Sequence, residues 1–289
     1  MDIKRPVVTL ITDFGTADGY VGAMKGVLLS ICPQVWPVDI THDIPRHDVY
    51  RAAFSLSNAA PLFPAGTTHL VVVDPGVGTM RRPLGVRAGG MNYVGPDNGV
   101  LSLVLRGRSE QKVVALENEA YHHSPRLGDA ASHTFHGRDI FSPAAAHLAA
   151  GVALTELGPQ LTDWISLSFP TLTLRSPHEL VGEVLYLDRF GNAVTNIGVL
   201  EWTGHDLQLI PAFARGEEAP IVLSGAAAVA CREHLLPLHR TYGEVSPGAP
   251  LALVGSSGLL EIAVREDSAG VCLGLRPGDP VVLTGRKRN

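Results

Sequence analysis

The segment Val7-Val-Thr-Leu-Ile-Thr-Asp-Phe-Gly15 decides the architecture. Five of its first six residues are β-branched, which makes a run of buried-strand type, and the run stops at Asp13-Phe14-Gly15. Residues 20–31 then carry apolar side chains at helical spacing. The pattern recurs. Residues 36–40 read as a second short strand, 49–60 as a helix ending before Pro61, and 69–73 as a third strand, again broken by Asp-Pro-Gly. Residues 84–87 and 91–94 read as paired short strands, 95–99 (Gly-Pro-Asp-Asn-Gly) as a turn, and 101–105 and 141–150 as helices. Strand–helix alternation predicts a layered α/β domain with a largely parallel sheet. In such folds the loops at the carboxyl ends of the strands carry function, and Asp13 and Asp74 fall there.

The character changes after about residue 165. Residues 167–174 resemble a linker plus an edge strand. From Glu179 onward come short alternating runs at 182–186, 194–197, 206–210, 220–223, 251–254, 259–264 and 280–283, punctuated by Gly, Pro and Asp. They predict a small antiparallel β domain, a barrel being one candidate form. The expected organisation is therefore an N-terminal α/β domain over residues 1–165, a linker over 166–178 and a C-terminal β domain over 179–289.

At 289 residues there is ample material for two cores, and 45% hydrophobic with 18% charged residues is ordinary for a soluble globular protein. The net charge of −5 and the scattered Lys and Arg provide no basic block for nucleic acid and no basic amphipathic stretch for a membrane surface. Cys32, Cys231 and Cys272 are far apart with no CxxC spacing, so they read as free thiols in a reducing compartment. Residues 1–5 are charged and lead directly into the first strand, and no apolar run reaches the roughly 18 residues of a membrane span. A cytoplasmic protein is the expectation.

Three polar clusters stand out: Ile11-Thr-Asp-Phe-Gly15, Val71-Val-Val-Asp-Pro-Gly-Val-Gly78 with Arg81, and Thr134-Phe-His-Gly-Arg-Asp139. Asp13 reads either as a helix cap or turn residue, or as a carboxylate that binds a diol. Asp74 reads as a turn residue or a functional acid. The glycines after it allow close approach to a ligand without forming GxGxxG or a Walker loop. Arg81 could pair with Asp74. His136 sits in a dense polar run before an apolar helix, which Asp139 could cap. An acid, a fixed cation and an imidazole in one pocket are equipment for positioning and activating water. His122, His123, His133 and His136 also raise a metal reading, with no HExxH or comparable spacing behind it. In the second half, Asp188-Arg-Phe-Gly-Asn-Ala-Val-Thr-Asn196 and Gly255-Ser-Ser-Gly258 read either as turns or as loops for the zwitterionic end of an amino acid.

Taken together the motifs identify a family. ITDFG, VDITH with IP (Val38 to Pro45), VVVDPGVG with Arg81, VGPDNGVLS (Val94 to Ser102), TFHGRDIFSPAAA (Thr134 to Ala146), DRFGNAVTNI (Asp188 to Ile197) and SSGLLEIAVRE (Ser256 to Glu266) occur in order along essentially the whole chain. In this the chain resembles the S-adenosyl-L-methionine hydroxide adenosyltransferases, hydrolase relatives of the fluorinase and chlorinase enzymes. The resemblance implies an N-terminal α/β domain, a C-terminal β-barrel, and a homotrimer with sites between the N-domain of one subunit and the C-domain of the next. It also implies attack of a water-derived nucleophile at C5′ of S-adenosylmethionine, releasing adenosine and methionine with no cofactor. Asp74, Arg81 and His136 then position water and Asp13 binds the ribose. Asp188, Phe190 and Asn192 lie near methionine and sugar, and Ser256, Ser257 and Arg265 fall in the segment contacting methionine and adenine. Halogenating relatives have Tyr-Ser at His136-Gly137 and Tyr-Pro at Asp74-Pro75, and the fluorinase carries an insertion absent here. A halogenase and a non-catalytic S-adenosylmethionine or adenosine sensor are the alternatives. Two positions depart from the family: His47, where halogenases place a Trp, and Gly255, where relatives often have Asn.

Overall fold

The computed structural model describes residues 5–108, 110–123, 131–176, 179–204, 206–210, 221–223 and 228–285. Of the segments read above, residues 1–4, 177–178 and Pro220 lie outside the described residues. The chain divides into two compact units, Met1–Leu167 and Ser168–Asn289.

The first unit holds a seven-stranded sheet. Its strands are β1 (Val7–Thr12), β2 (Trp36–Thr41), β3 (Thr68–Val72), β4 (Pro83–Ala88), β5 (Met91–Pro96), β6 (Gln111–Ala115) and β7 (Gln160–Leu161), in the order β2-β1-β3-β5-β4-β6-β7. Helices α1 (Tyr20–Ile31), α2 (Val49–Ala59), α3 (Ser102–Leu105) and α4 (Ser142–Ala149) cover it. Alternation along the strands explains the layering. Val8, Leu10, Leu70 and Val72 pack with α1 and α4, while Ile11, Val71 and Val73 pack with α2 and α3. The two faces are each buried, which is why β1 and β3 read as continuous apolar runs rather than alternating ones.

The sheet is mixed, which corrects the expectation of a largely parallel one. β2, β1, β3 and β5 run parallel, whereas the β5–β4, β4–β6 and β6–β7 pairings are antiparallel. The cause is local. β4 and β5 are joined by Gly89-Gly90, both at positive φ, a turn too tight for a crossover. The parallel part nevertheless has the doubly wound pattern. The chain leaves β1 for β2 on one side and returns for β3 on the other. The crevice outside the carboxyl ends of β1 and β3 is therefore a topological switch point, and Asp13 and Asp74 follow those two strands.

The second unit contains β8 (Thr173–Ser176), β9 (Glu179–Leu187), β10 (Ala193–Thr195), β11 (Leu200–Thr203), β12 (Asp206–Leu209), β13 (Ile221–Leu223), β14 (Ala228–Cys231), β15 (His234–His239), β16 (Pro250–Val254), β17 (Leu260–Val264), a short α5 (Ala269–Cys272) and β18 (Pro280–Thr284). Strands β10, β17, β16, β15, β14, β18 and β9 pair in succession, and a β9–β10 pairing closes the ring into a seven-stranded barrel. All its pairings are antiparallel except β15–β16. Its core includes Leu180, Val184, Ile197, Leu236, Ile262 and Val281. β8 extends the sheet beyond β9, and β11, β12 and β13 form a separate antiparallel sheet. Among the described residues no helix is long and apolar enough to cross a membrane.

His69 is one of the ionisable groups buried in the first unit. His69 is fully buried and register-paired with Thr9, whose Oγ1 lies 2.8 Å from its Nδ1. Its ring stacks on Tyr93 at 5.3 Å, and Nε2 has no partner among the described residues. Burial lowers its pKa to about 4. The folded state then binds fewer protons than the unfolded state between that value and about 6.5, so stability falls as pH drops through this window. The loss by pH 4 is expected to reach up to ~3 kcal/mol. Urea unfolding of the wild type and His69→Gln at pH 7 and pH 4.5 measures it. The variant's stability is expected to depend less on pH, and equal dependence would contradict the assignment.

Candidate active site

Residues that follow β3 build one wall of the crevice. Asn98 Nδ2 donates to the Val73 carbonyl at 2.9 Å and fixes the strand end. Asp74 then opens a turn. Gly76 N donates to its Oδ1 at 3.2 Å, Thr79 Oγ1 donates to the Gly76 carbonyl at 2.7 Å, and Arg81 N donates to Thr79 Oγ1 at 3.3 Å. The turn folds Arg81 back onto Asp74. A Cβ at Gly76 would lie 3.1 Å from Arg81 Cγ. A Cβ at Gly78, where φ is +76°, would lie 2.7 Å from the His133 carbonyl oxygen. That position needs glycine on both counts, and its close approach brings the 74–81 turn against the chain leading to His136.

A different device places His136. The chain forms a π-turn over Gly137–Phe141 before α4 begins, where the sequence reading placed a helix from residue 141. Asp139 lies inside this turn rather than capping α4. Its buried carboxylate pairs with Arg138 and accepts from Ser132 N at 2.9 Å, and its carbonyl accepts from His123 N at 2.8 Å. The polar run around His136 is thus largely scaffolding for one imidazole.

Arg81 joins the three predicted groups. Its Nε donates to Asp74 Oδ1 (3.0 Å) and Oδ2 (2.9 Å), and its Nη2 donates to Oδ2 as well. The same Nη2 lies 2.7 Å from His136 Nδ1. The Arg81 and Asp74 side chains are only 8% and 5% exposed, so this is a buried pair rather than a surface ion pair. Breaking such a pair by removing one partner typically costs ~3–5 kcal/mol. The guanidinium also lies 5.1 Å from the Phe141 ring centroid. Its buried Nη1 has no partner among the described residues.

This geometry fixes the histidine's proton. A guanidinium only donates, so His136 Nδ1 is the acceptor and Nε2 carries the hydrogen. Burial, and next the Arg81 charge, hold the imidazole's pKa below its usual value. The site therefore offers a neutral N–H donor at Nε2 beside a buried cation.

A cleft of about 300 Å³ opens against these groups, lined by Asp13, Phe14, Asp18, Tyr20, Arg46, His47, Asp74 and His136 among others. Asp13 does not cap α1, whose N-cap is Gly19. Instead Asp13 Oδ2 accepts from His47 N at 2.9 Å, and His47 holds a left-handed φ of 65°. Behind it, Thr12 Oγ1 lies 2.8 Å from His42 Nδ1, His42 Nε2 lies 3.0 Å from Asp39 Oδ1, and Lys25 donates to Asp39 Oδ2 at 2.6 Å. This explains the polar VDITH stretch inside a strand-like context. Phe14, Tyr20 and Phe135 form an aromatic wall with centroids 5.2–6.1 Å apart. The sequence reading missed Tyr20, whose helical spacing made it look like core. A ring 50% exposed at a helix start is unusual for that role.

The second unit carries its own cleft, about 630 Å³, lined by Phe190, Asn192, Tyr242, Val264, Arg265, Glu266, Asp267 and Ser268. Asp188 Oδ1 accepts from Phe190 N (2.8 Å) and Asn192 N (2.9 Å), and Oδ2 accepts from Asn192 Nδ2 (3.2 Å). Phe190 is 78% exposed. Arg265 Nη1 donates to the Val245 carbonyl at 2.7 Å. Ser256 and Ser257 lie in the turn between β16 and β17 and do not line this cleft. Among the described residues no three His, Cys, Asp or Glu are grouped to hold a metal ion, and His122 Nε2 lies 3.1 Å from the Leu116 carbonyl oxygen.

Comparison with known proteins matches residues 8–158 to the SAM hydroxide adenosyltransferase N-terminal domain and residues 182–282 to its C-terminal domain. A Thermus thermophilus protein named (R)-S-adenosyl-L-methionine hydrolase is 41% identical over 284 residues, covering 96% of this chain and 99% of the relative. A Nocardia brasiliensis fluorinase is 29% identical over 302 residues, covering 95% of each. Among solved structures, an uncharacterized conserved protein from Thermotoga maritima superposes with a TM-score of 0.80 at 31% identity, covering 96% of this chain and 99% of that one.

The histidine assignment has a direct test. ¹⁵N chemical shifts of His136 are expected to report a neutral ring protonated at Nε2 at pH 7, with a titration midpoint below 6.5. An imidazolium at pH 7, or a proton on Nδ1, would contradict the geometry.

Proposed function

The chain belongs to the SAM hydroxide adenosyltransferase family, and we propose that it converts S-adenosyl-L-methionine and water into adenosine and L-methionine at the Asp74–Arg81–His136 group. The observation that carries this reading is the hydrogen-bonded convergence of three side chains 7 and 55 residues apart at the switch-point crevice. The 36–41% identity to relatives named (R)-S-adenosyl-L-methionine hydrolase supports the reaction class.

The chemistry is an in-line displacement. An oxygen–C5′ bond forms as the C5′–sulfur bond breaks, and the sulfonium takes the electron pair and leaves as the neutral thioether of methionine. The leaving group is already activated, so the protein's task is to hold the nucleophile on the line of attack. His136 Nε2–H and the buried Arg81 cation favour a bound hydroxide over water, and the proton is released to solvent. Asp74 engages Arg81 with both oxygens and keeps it aimed. Orientation of this kind can supply at most roughly 7–11 kcal/mol of the barrier. Asp13 receives the ribose hydroxyls, and Asp188, Phe190, Asn192 and Arg265 hold the methionine and adenine portions. In this reading the protein is a cytoplasmic homotrimer, with the first unit of one subunit meeting the second unit of the next. It acts without a metal or other cofactor.

In oxygen-18 water the label is expected in the 5′-hydroxyl of the adenosine product, and unlabelled adenosine would refute hydrolysis at C5′. Added chloride or fluoride is expected to yield no 5′-halo-adenosine. His136→Ala and Asp74→Asn are expected to lower kcat by about 10²–10⁴-fold while S-adenosylmethionine still binds by calorimetry. Wild-type turnover in both variants would remove these residues from the mechanism. Full activity after exhaustive chelation and a mass of three chains by light scattering are the expected results for the cofactor and assembly assignments.

A further inference from the structure

We infer that Glu261, outside the cleft of the second unit, is a positioning residue that fixes which face of the Asn192 amide the cleft presents. The inference rests on the reading of Asp188 and Asn192 as substrate contacts.

The argument is one of hydrogen-bond direction. Asn192 Nδ2 lies 3.2 Å from Asp188 Oδ2 and 3.3 Å from Tyr242 Oη, so its two hydrogens have two acceptors. An amide nitrogen only donates, so the phenol oxygen accepts from it and must send its own hydrogen elsewhere. That hydrogen goes to Glu261 Oε2 at 3.3 Å. The relay therefore runs one way, from Asn192 through Tyr242 to Glu261. Its far end secures the second of the amide's two contacts. A group that only accepts at position 261 holds the phenol as donor, which holds the amide nitrogen against it and leaves Asn192 Oδ1 as an acceptor for a ligand's N–H or O–H. Without that acceptor the phenol hydrogen has no fixed partner, and Asp188 Oδ2 alone is left to orient the amide.

Two further observations support the role. A Cβ at Gly255 would lie 1.8 Å from Glu261 Oε1, so the carboxylate occupies the space that any side chain at position 255 would take. The sequence departure at Gly255 and the placement of Glu261 are thus one feature. Tyr242 is also clamped from its own side, because the Thr241–Glu244 capping box fixes the short helix that carries it. Burial and then the Glu261 charge push the Tyr242 phenol up to about 12, in keeping with a hydroxyl that keeps its proton for an anionic acceptor.

The test is a double-mutant cycle with the full-length protein. Glu261→Leu is expected to raise KM for S-adenosylmethionine about tenfold with kcat unchanged, and Glu261→Gln, which still presents a carbonyl acceptor, to stay within about threefold of wild type. In a Tyr242→Phe background Glu261→Leu is expected to have no further effect, because its influence passes through the phenol. Gly255→Ala, which displaces the carboxylate without changing charge, is expected to reproduce Glu261→Leu. Equal effects of Glu261→Leu with and without the phenol, or an unchanged KM, would overturn the inference. Phenol absorbance titration needs no turnover and so separates this failure from failure of the substrate reading. The Tyr242 midpoint is expected to fall in Glu261→Gln, and an unmoved midpoint would show that the relay does not exist.

Discussion

A guanidinium withdrawn from water demands partners, and the first unit's site is organised around supplying them to Nε and Nη2 of Arg81. Asp74 supplies the countercharge with both oxygens, His136 supplies a neutral acceptor, and the Phe141 ring covers part of the cation. Each partner is brought in by a separate local device. A glycine-rich turn after β3 delivers Arg81 to Asp74, and a π-turn ahead of α4 delivers the imidazole. The cost of burying the charge makes the arrangement cooperative, since the loss of any one member leaves the others with unmet donors or acceptors. That cooperativity keeps the N–H of His136 and the field of Arg81 fixed before any ligand arrives.

Much of the fold was legible because burial leaves periodic traces. β1 and β3 are covered on both faces and read as continuous apolar runs, and α1 and α2 show helical spacing bounded by turns. Strand direction was not legible. An apolar run such as Val86 with its neighbours has the same appearance whether the adjacent strand is parallel or antiparallel, and only the Gly89-Gly90 turn distinguishes them. β6, β7, β11, β14 and β15 do not read as strands in the sequence, being short or interrupted. Gln111–Ala115 is five residues long, and Pro237 interrupts the pattern of β15 while pairing with Ala228.

The candidate site was legible to the extent that its chemistry required unusual residues in a row. Asp-Pro-Gly-Val-Gly after a buried strand and Thr-Phe-His-Gly-Arg-Asp before a helix both pointed at loops built for more than connection. The sequence could not show which polar residues face the cleft and which support it. Asp139 read as a cap for the following helix, yet it pairs with Arg138 inside the π-turn. Tyr242 and Glu261 gave the opposite error. Each sits in an ordinary turn or strand, and their relevance rests on a contact across 19 residues that no periodicity encodes.

The barrel's closure has a consequence for biosynthesis. β18 is an interior stave, paired with β14 on one side and, on the other, with β9 across about ninety residues of intervening chain. While a ribosome is still making residues before Pro280, β9 has no neighbour on that side and its edge is open. Among the described residues the strands of the first unit are complete by Leu161, so it can consolidate while the remainder is being translated. The nascent protein thus passes through a stage with one half ready to consolidate and one half bearing unpaired edges.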